Sequence, residues 1–283
     1  MRRFLQLFRP AALSAVVLAA LLVDTGTVCA EVVYRFGVVP QFAPRQLANI
    51  WVPILKELES RTGLKFKMVG SPNIPKFEIS FLAGEFDFAY MNPYHAMLAS
   101  MQRGYVPLNR DHGRKLSGVL VVKKDDPIGD VKELDGMTIS FPAPNALGAS
   151  LLMRTDLAKI VDIKIKPLYV RSHSSVYLNV LLGKTSAGGG VMSTLKRQDQ
   201  KIQDGLRVIY QTREIAPHPV TAHPRVPAEH MELVRKAFLD MGQSEHGATL
   251  LAKVPFKEIG PASLDEYLEL ASWGLEEHYV RDE

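Results

Sequence analysis

The chain contains one cysteine, Cys29, and no Gly-x-Ser-x-Gly turn in its 283 residues. The first shortage removes disulfide staples and cysteine-based metal sites from any product that loses its N-terminal segment. The second removes the serine-hydrolase elbow. No Lys/Arg block is interleaved with aromatic residues, and the net charge is only +4, half of it carried by the first thirty residues. Nucleic acid is therefore not an expected partner. Internal repeats and low-complexity tracts are also missing, which argues against a solenoid or a long disordered tail. Gly183-Lys184-Thr185 has the ending of a phosphate-binding loop, but Leu178 stands where that loop needs a glycine. His218 and His223 would fall on opposite faces of an extended segment, so no metal site and no cofactor are expected.

What is present begins with a leader. Arg2, Arg3 and Arg9 flank and precede an apolar run from Ala11 to Val23, and Val28-Cys29-Ala30 has the small residues of a signal-peptidase site. The run is short against the roughly 20 residues of a membrane span. Residues 1–30 are expected to be a cleaved signal peptide, with Glu31 the first mature residue and the periplasm the destination.

From Val32 onward, apolar runs alternate with amphipathic stretches. A strand over 32–39, closed by Pro40, leads to Leu47, Ile50, Trp51, Ile54, Leu55 and Leu58 at helical spacing, with Gly63 as the stop. Pro53 should kink that helix or delay its start. Strands over 66–69 and 86–90 bracket a helix over 77–83; Asn92 then caps and Pro93 opens a helix over 94–103. Strands follow over 105–109 and 118–123, and the polar stretch 110–115 between them reads as a first interlobe crossing. A second series runs strand 138–141, helix 150–160, strand 166–170, helix 175–182, a short strand from Ala187 and a strand over 207–211. Residues 217–222 read as the return crossing, and helices over 227–242 and 263–277 close the chain. The expectation is an α/β protein of two lobes, one built from 31–117 and 218–283, the other from 118–217.

Turns at the carboxyl ends of such strands collect small ligands, because the next helix opens there with unpaired N–H groups. Four turns qualify. Gln41 and Phe42 follow the first strand; Tyr90, Asn92, Tyr94 and His95 follow the third. In the second half, Asn145, Ala146, Leu147, Gly148, Ala149 and Ser150 form a small-residue turn suited to an oxyanion at a helix N-terminus. Arg171-Ser172-His173-Ser174-Ser175 adds three hydroxyls and the imidazole of His173. Leu147 and Met192 are expected to line the pocket and would suit a ligand with an apolar part. None of these turns contains a carboxylate pair for acid–base chemistry, so the protein is expected to bind and not to catalyse.

Phe36-Gly37-Val38-Val39-Pro40, Gly84-Glu85-Phe86-Asp87-Phe88-Ala89-Tyr90, the run from Val121 to Ile128, and Pro144-Asn145 together resemble the phosphate/phosphite/phosphonate periplasmic-binding family, the PhnD-like solute receptors of ABC transporters. The resemblance implies a type II periplasmic-binding fold: mixed sheets flanked by helices, with a ligand cleft between two lobes that close by a hinge. It also implies site residues. His173 matches a histidine that contacts the oxyanion in phosphonate receptors, and Tyr90 with Met91 falls where those proteins carry an aromatic pair. Ala146-Leu147-Gly148 replaces their Ser-Thr-Ser grip, and His218 stands where they carry an aspartate. Losing three hydroxyl donors should weaken the hold on a fully charged phosphonate, at roughly 1.5–3 kcal/mol for each hydrogen bond to a charged group.

The expected function is that of a monomeric periplasmic receptor for a small phosphonate-, phosphite-, phosphate- or sulfonate-like anion, delivering it to an ABC permease. Two alternatives use the same fold. One docks the closed receptor on a membrane histidine kinase; the other is a dehydratase-like enzyme, for which Glu78 and Glu214 are the only cleft carboxylates to nominate.

Overall fold

In the computed structural model, residues 32–254 and 256–281 are described, and the expected signal peptide falls outside the described residues. Two sheets organise them. Strands β1 (Val33–Val38), β2 (Lys65–Val69), β3 (Phe88–Tyr90) and β4 (Val106–Asp111) come first. Strands β5 (Gly118–Lys123), β6 (Thr138–Phe141), β7 (Lys166–Tyr169), β8 (Ala187–Val191) and β9 (Leu206–Gln211) follow. The last two are β10 (Val220–Ala222) and β11 (Ile259–Pro261). One sheet has the order β11-β4-β10-β3-β1-β2 and the other β7-β6-β8-β5-β9. Both are mixed: β1 runs parallel to β2 and β3, whereas β10 lies antiparallel between β3 and β4; β6 runs parallel to β7 and β8, whereas β5 is antiparallel to β8 and β9.

The chain therefore leaves the first sheet after β4 and returns to it at β10. The two connecting segments pair with each other: Leu116 N–H donates to the Ile215 carbonyl at 2.8 Å and Ile215 N–H to the Leu116 carbonyl at 2.9 Å. Residues 217–222, expected as a plain crossing, turn out to supply a central strand, because Val220, Thr221 and Ala222 are wholly buried between β3 and β4. The first crossing is likewise shorter than expected, since Arg110 and Asp111 belong to β4.

Local chemistry accounts for most helices. Helix Pro44–Thr62 buries Leu47, Ile50, Trp51, Ile54, Leu55 and Leu58 and ends on Gly63 in the left-handed region at φ 72°. Pro53 does not delay its start; Asn49, whose carbonyl loses its partner there, is an exposed residue. The expected helix over 263–277 is instead helix Asp265–Leu268 followed by two short 3-10 turns, Glu269–Ser272 and Leu275–Glu277, broken by Gly274 at φ 73°. In the second sheet, the helix over 147–161 is α-helical only at its centre and π-helical at both ends, and it starts three residues before the expected position.

An aromatic core around Phe36, Trp51, Phe77, Phe86 and Phe88 packs the first sheet, and an aliphatic core around Leu120, Ile139, Met153 and Leu157 packs the second. A third cluster joins residues from both parts of the chain: Tyr94 and Met97, Leu147, Leu151 and Leu152, and Tyr267, Leu270 and Leu275 of the C-terminal segment.

Candidate functional site

The carboxyl ends of β1, β3, β6, β7 and β8 open onto one cavity of about 560 Å³. Val39 to Phe42 line it from behind β1, and Tyr90 and Asn92 from behind β3. Asn92 is fixed as the N-cap of helix Pro93–Arg103, its side-chain oxygen accepting from His95 N–H at 2.8 Å. From the second sheet come the turn with Pro142, Ala143, Pro144 and Ala146 to Ala149, then Arg171 to His173, Val191 at the end of β8, and Ser193, Thr194 and Arg197 beyond it. The first bond inside the helix over 147–161 is Ser150 N–H to Ala146 O at 2.8 Å, so the stretch before it carries the N–H groups a helix leaves without an internal partner.

Two glycines make this approach possible. A Cβ on Gly118 would sit 1.9 Å from the Gly148 carbonyl oxygen, and one on Gly189 would sit 2.1 Å from that of Ala149. The glycine run in β8 thus lets the cavity turn lie directly on the sheet, which a strand of branched residues would prevent.

Charge is one-sided. Arg114, Arg171 and Arg197 line the cavity, and no Asp or Glu does among the described residues. Arg114 Nε is held by Asp111 Oδ2 at 2.9 Å, which orients the guanidinium from a wholly buried carboxylate. Arg197 lies over the Phe42 ring at 5.2 Å and reaches the Lys253 carbonyl at 3.3 Å, so the second sheet's cation touches the first sheet's lip. Arg171 holds φ 73°, a conformation uncommon outside glycine.

The two histidines stay neutral. Burial pushes the His218 pKa down to about 3, with Arg114 adding repulsion, and desolvation takes that of His173, a half-buried residue, down to about 4. Gln41 Nε2 lies 2.8 Å from His218 Nε2; as the amide nitrogen donates, His218 carries its proton on Nδ1. Its ring stacks on Tyr90 at 5.4 Å. His173 Nδ1 is 3.2 Å from the Thr194 hydroxyl, which Tyr177 also meets at 2.7 Å.

Of the residues expected at the site, Gln41, Phe42, Tyr90, Asn92, Ala146, Leu147, Gly148, Ala149, His173 and His218 meet at this cavity. Six do not line it. Met91 is buried in the aromatic core, and Tyr94 packs edge-on against Tyr279 at 5.4 Å. His95 turns inward to Glu78, Nε2 to Oε1 at 2.7 Å. Asn145 donates to Glu78 Oε2 at 2.9 Å and to Val280 O at 2.6 Å. Ser150 Oγ accepts from Arg154 Nε at 3.3 Å, and Met192 sits at the surface. Glu78 and Glu214, the carboxylates nominated for an enzyme, are not at the cavity either: the first is engaged with His95 and Asn145, and the second is exposed.

Sequence reasoning missed Arg114, Arg197, Tyr169, Thr194 and the loop at Pro72 to Pro75 as lining residues. One signal was available. Asn73-Ile74-Pro75 carries a cap and an early proline, as Asn92-Pro93 does, and Asn73 Oδ1 accepts from Lys76 N–H at 2.9 Å.

Known proteins share this architecture. The structure of PhnD1 from Prochlorococcus marinus in complex with methylphosphonate superposes with a TM-score of 0.78 at 15% identity, covering 88% of this chain and 99% of that one. A binding-protein component of an ABC phosphonate transporter from Pseudomonas aeruginosa gives a TM-score of 0.75 at 17% identity, covering 86% and 85%. The virulence sensor protein BvgS of Bordetella bronchiseptica is 28% identical over 141 residues, which is 46% of this chain and 11% of that protein. The chain thus spans about a tenth of the length of the curated relatives it matches. The model of the phosphonate periplasmic substrate-binding proteins of ABC transporters matches residues 36–267, well over half of the sequence, and the chain belongs to that family.

Proposed function

We propose that the protein is a periplasmic receptor that binds a phosphonate-like oxyanion in the cavity and hands it to the permease of an ABC importer, without catalysis. The observation that carries this reading is the lining: three guanidinium groups and, among the described residues, no carboxylate, at the strand ends of both sheets. Arginine forks match phosphonate oxygens bidentately, and neutral His173 and His218 add hydrogen-bonding groups without charge. Lobes of 31–117 with 218–283 and of 118–217 would close about the paired segments at Leu116 and Ile215, stabilised by whatever extra contact the ligand makes in the closed state. The methylphosphonate held by the Prochlorococcus relative supports the ligand class.

Titration of the purified protein with phosphate, phosphite, alkylphosphonates and alkylsulfonates tests it. At least one should raise the melting temperature in proportion to the logarithm of its concentration. If no oxyanion does so at millimolar levels, the receptor reading fails. The match to BvgS favours a second output, docking of the closed receptor on a membrane sensor. Co-purification with a permease or with a sensor kinase separates the two.

A further inference from the structure

The cavity has two chemically different ends. At one, Gln41, His218 and Tyr90 form a stacked and hydrogen-bonded wall, and Tyr90 feels the charges of Arg114 and Arg197 together with the opposing charge of Asp111, the carboxylate that holds Arg114. At the other, the turn after β6 is joined by the Asn145 to Glu78 bond at 2.9 Å to helix Ile74–Leu82, whose leading loop lines the cavity. That end presents Pro72, Ile74, Pro75 and Pro144, with Asn73 among them, whose side-chain oxygen is engaged by Lys76 N–H at 2.9 Å. Tyr169 joins it: Arg154 donates to the Pro144 carbonyl at 2.8 Å and lies over the Tyr169 ring at 5.7 Å. Tyr169 is 38% exposed and lines the cavity.

Building on the oxyanion reading, we propose that the cavity selects an oxyanion bearing an uncharged, apolar or aromatic body and discriminates against ligands that carry an ammonium group. Volume is the first argument. About 560 Å³ lies within the roughly 300–1,000 Å³ of sites that enclose drug-sized ligands, far more than a phosphonate head with one methyl would fill. Charge is the second. An ammonium brought into the cavity meets three guanidinium groups and two neutral imidazoles, with no carboxylate among the described lining residues to pair with it. Leaving water unpaired disfavours the charged form strongly. The fixed cation, Arg114, takes the anionic head, and Tyr169 with the three prolines takes the body.

Isothermal titration of the full mature chain with four phosphonates decides the matter. Propylphosphonate and 2-aminoethylphosphonate have the same number of heavy atoms and differ by the ammonium; the first is expected to bind at least tenfold more tightly. Phenylphosphonate is expected to bind at least tenfold more tightly than methylphosphonate. Tyr169→Ala should weaken phenylphosphonate binding at least fivefold more than it weakens methylphosphonate binding. Equal or tighter binding of the amino compound, or equal binding of the methyl and phenyl compounds, overturns the proposal while leaving the receptor reading intact. A Tyr169→Ala loss shared equally by both ligands overturns the assignment of the body to that end. If neither these four nor inorganic phosphate nor a sulfonate binds, the receptor reading itself is lost.

Discussion

Asp111 and Arg114 form a charged hydrogen bond in which the carboxylate is wholly buried and the guanidinium lines the cavity, Oδ2 to Nε at 2.9 Å. The other oxygen of the same carboxylate accepts from the N–H groups of Gly113, Lys257 and Glu258 at 3.0, 3.1 and 2.9 Å. A single side chain therefore fixes the start of one crossing, the segment leading to β11, and the cation at the cleft. Asp111→Asn is expected to lower stability by about 3 kcal/mol, the scale of breaking a buried charged pair. It should also weaken anion binding, while Asp111→Glu recovers neither fully. Urea unfolding and titration calorimetry on the same variants check both effects, and unchanged affinity would show that Arg114 does not need the anchor.

Gly118 has no room for a methyl group, because the Gly148 carbonyl oxygen would lie 1.9 Å from it. Gly118→Ala should cost about 1–3 kcal/mol, the range for overpacking, and should displace the cavity turn from the sheet. Denaturant midpoints report the first effect and ligand affinity the second.

Acid should unfold the protein through its neutral histidines. In the folded state His218 and His173 titrate at about 3 and about 4, against about 6.5 for an unperturbed imidazole. Between those values the unfolded chain binds the extra protons, so stability is full above about pH 6.5 and is lost as pH falls toward the folded-state values. Each of the two histidines adds a slope of at most about 1.4 kcal/mol per pH unit. His218→Gln should flatten the curve between about pH 5 and pH 6.5. A wild-type slope in that variant would mean that His218 is not the group responsible.

Asn145 ties the turn after β6 to the C-terminal tail: its oxygen accepts from Val280 N–H at 3.0 Å while its amide donates to Glu78 and Val280 O. Asn145→Ala leaves several of these groups without partners, at a cost of about 1–3 kcal/mol for each one left buried. Hydrogen exchange at 278–281 should accelerate in the variant, and a tail protected as in the parent would show that its other contacts, Arg154 to the His278 carbonyl and Tyr94 against Tyr279, suffice to hold it.

Much of the site's framework was legible because it obeys local rules. Asn92-Pro93 announces a helix start within two residues, and Ala146 to Ala149 announce a turn that lets a ligand near the backbone. Asn145 and His95 misled for a related reason. They sit in the right turns, but the direction of a side chain depends on what waits across the fold, and Glu78 waits for both. The strand β10 was hidden too: three residues are too few to display a period, and they become a strand only when β3 and β4 flank them.

By itself, the sequence determined the alternation of strands and helices, the doubling of the α/β series and the turns at which a ligand could gather, since each follows from periodicity, capping and backbone freedom within about a dozen residues. Tertiary structure alone decided the character of the cavity. Arg114 becomes a fixed cation only because Asp111 is itself held by residues 146 and 147 positions away, and Arg197 joins the site only by reaching over Phe42 from the opposite sheet. Such pairings carry no periodic signature in the chain; they exist only once burial has brought distant segments together and the desolvated charges must find partners.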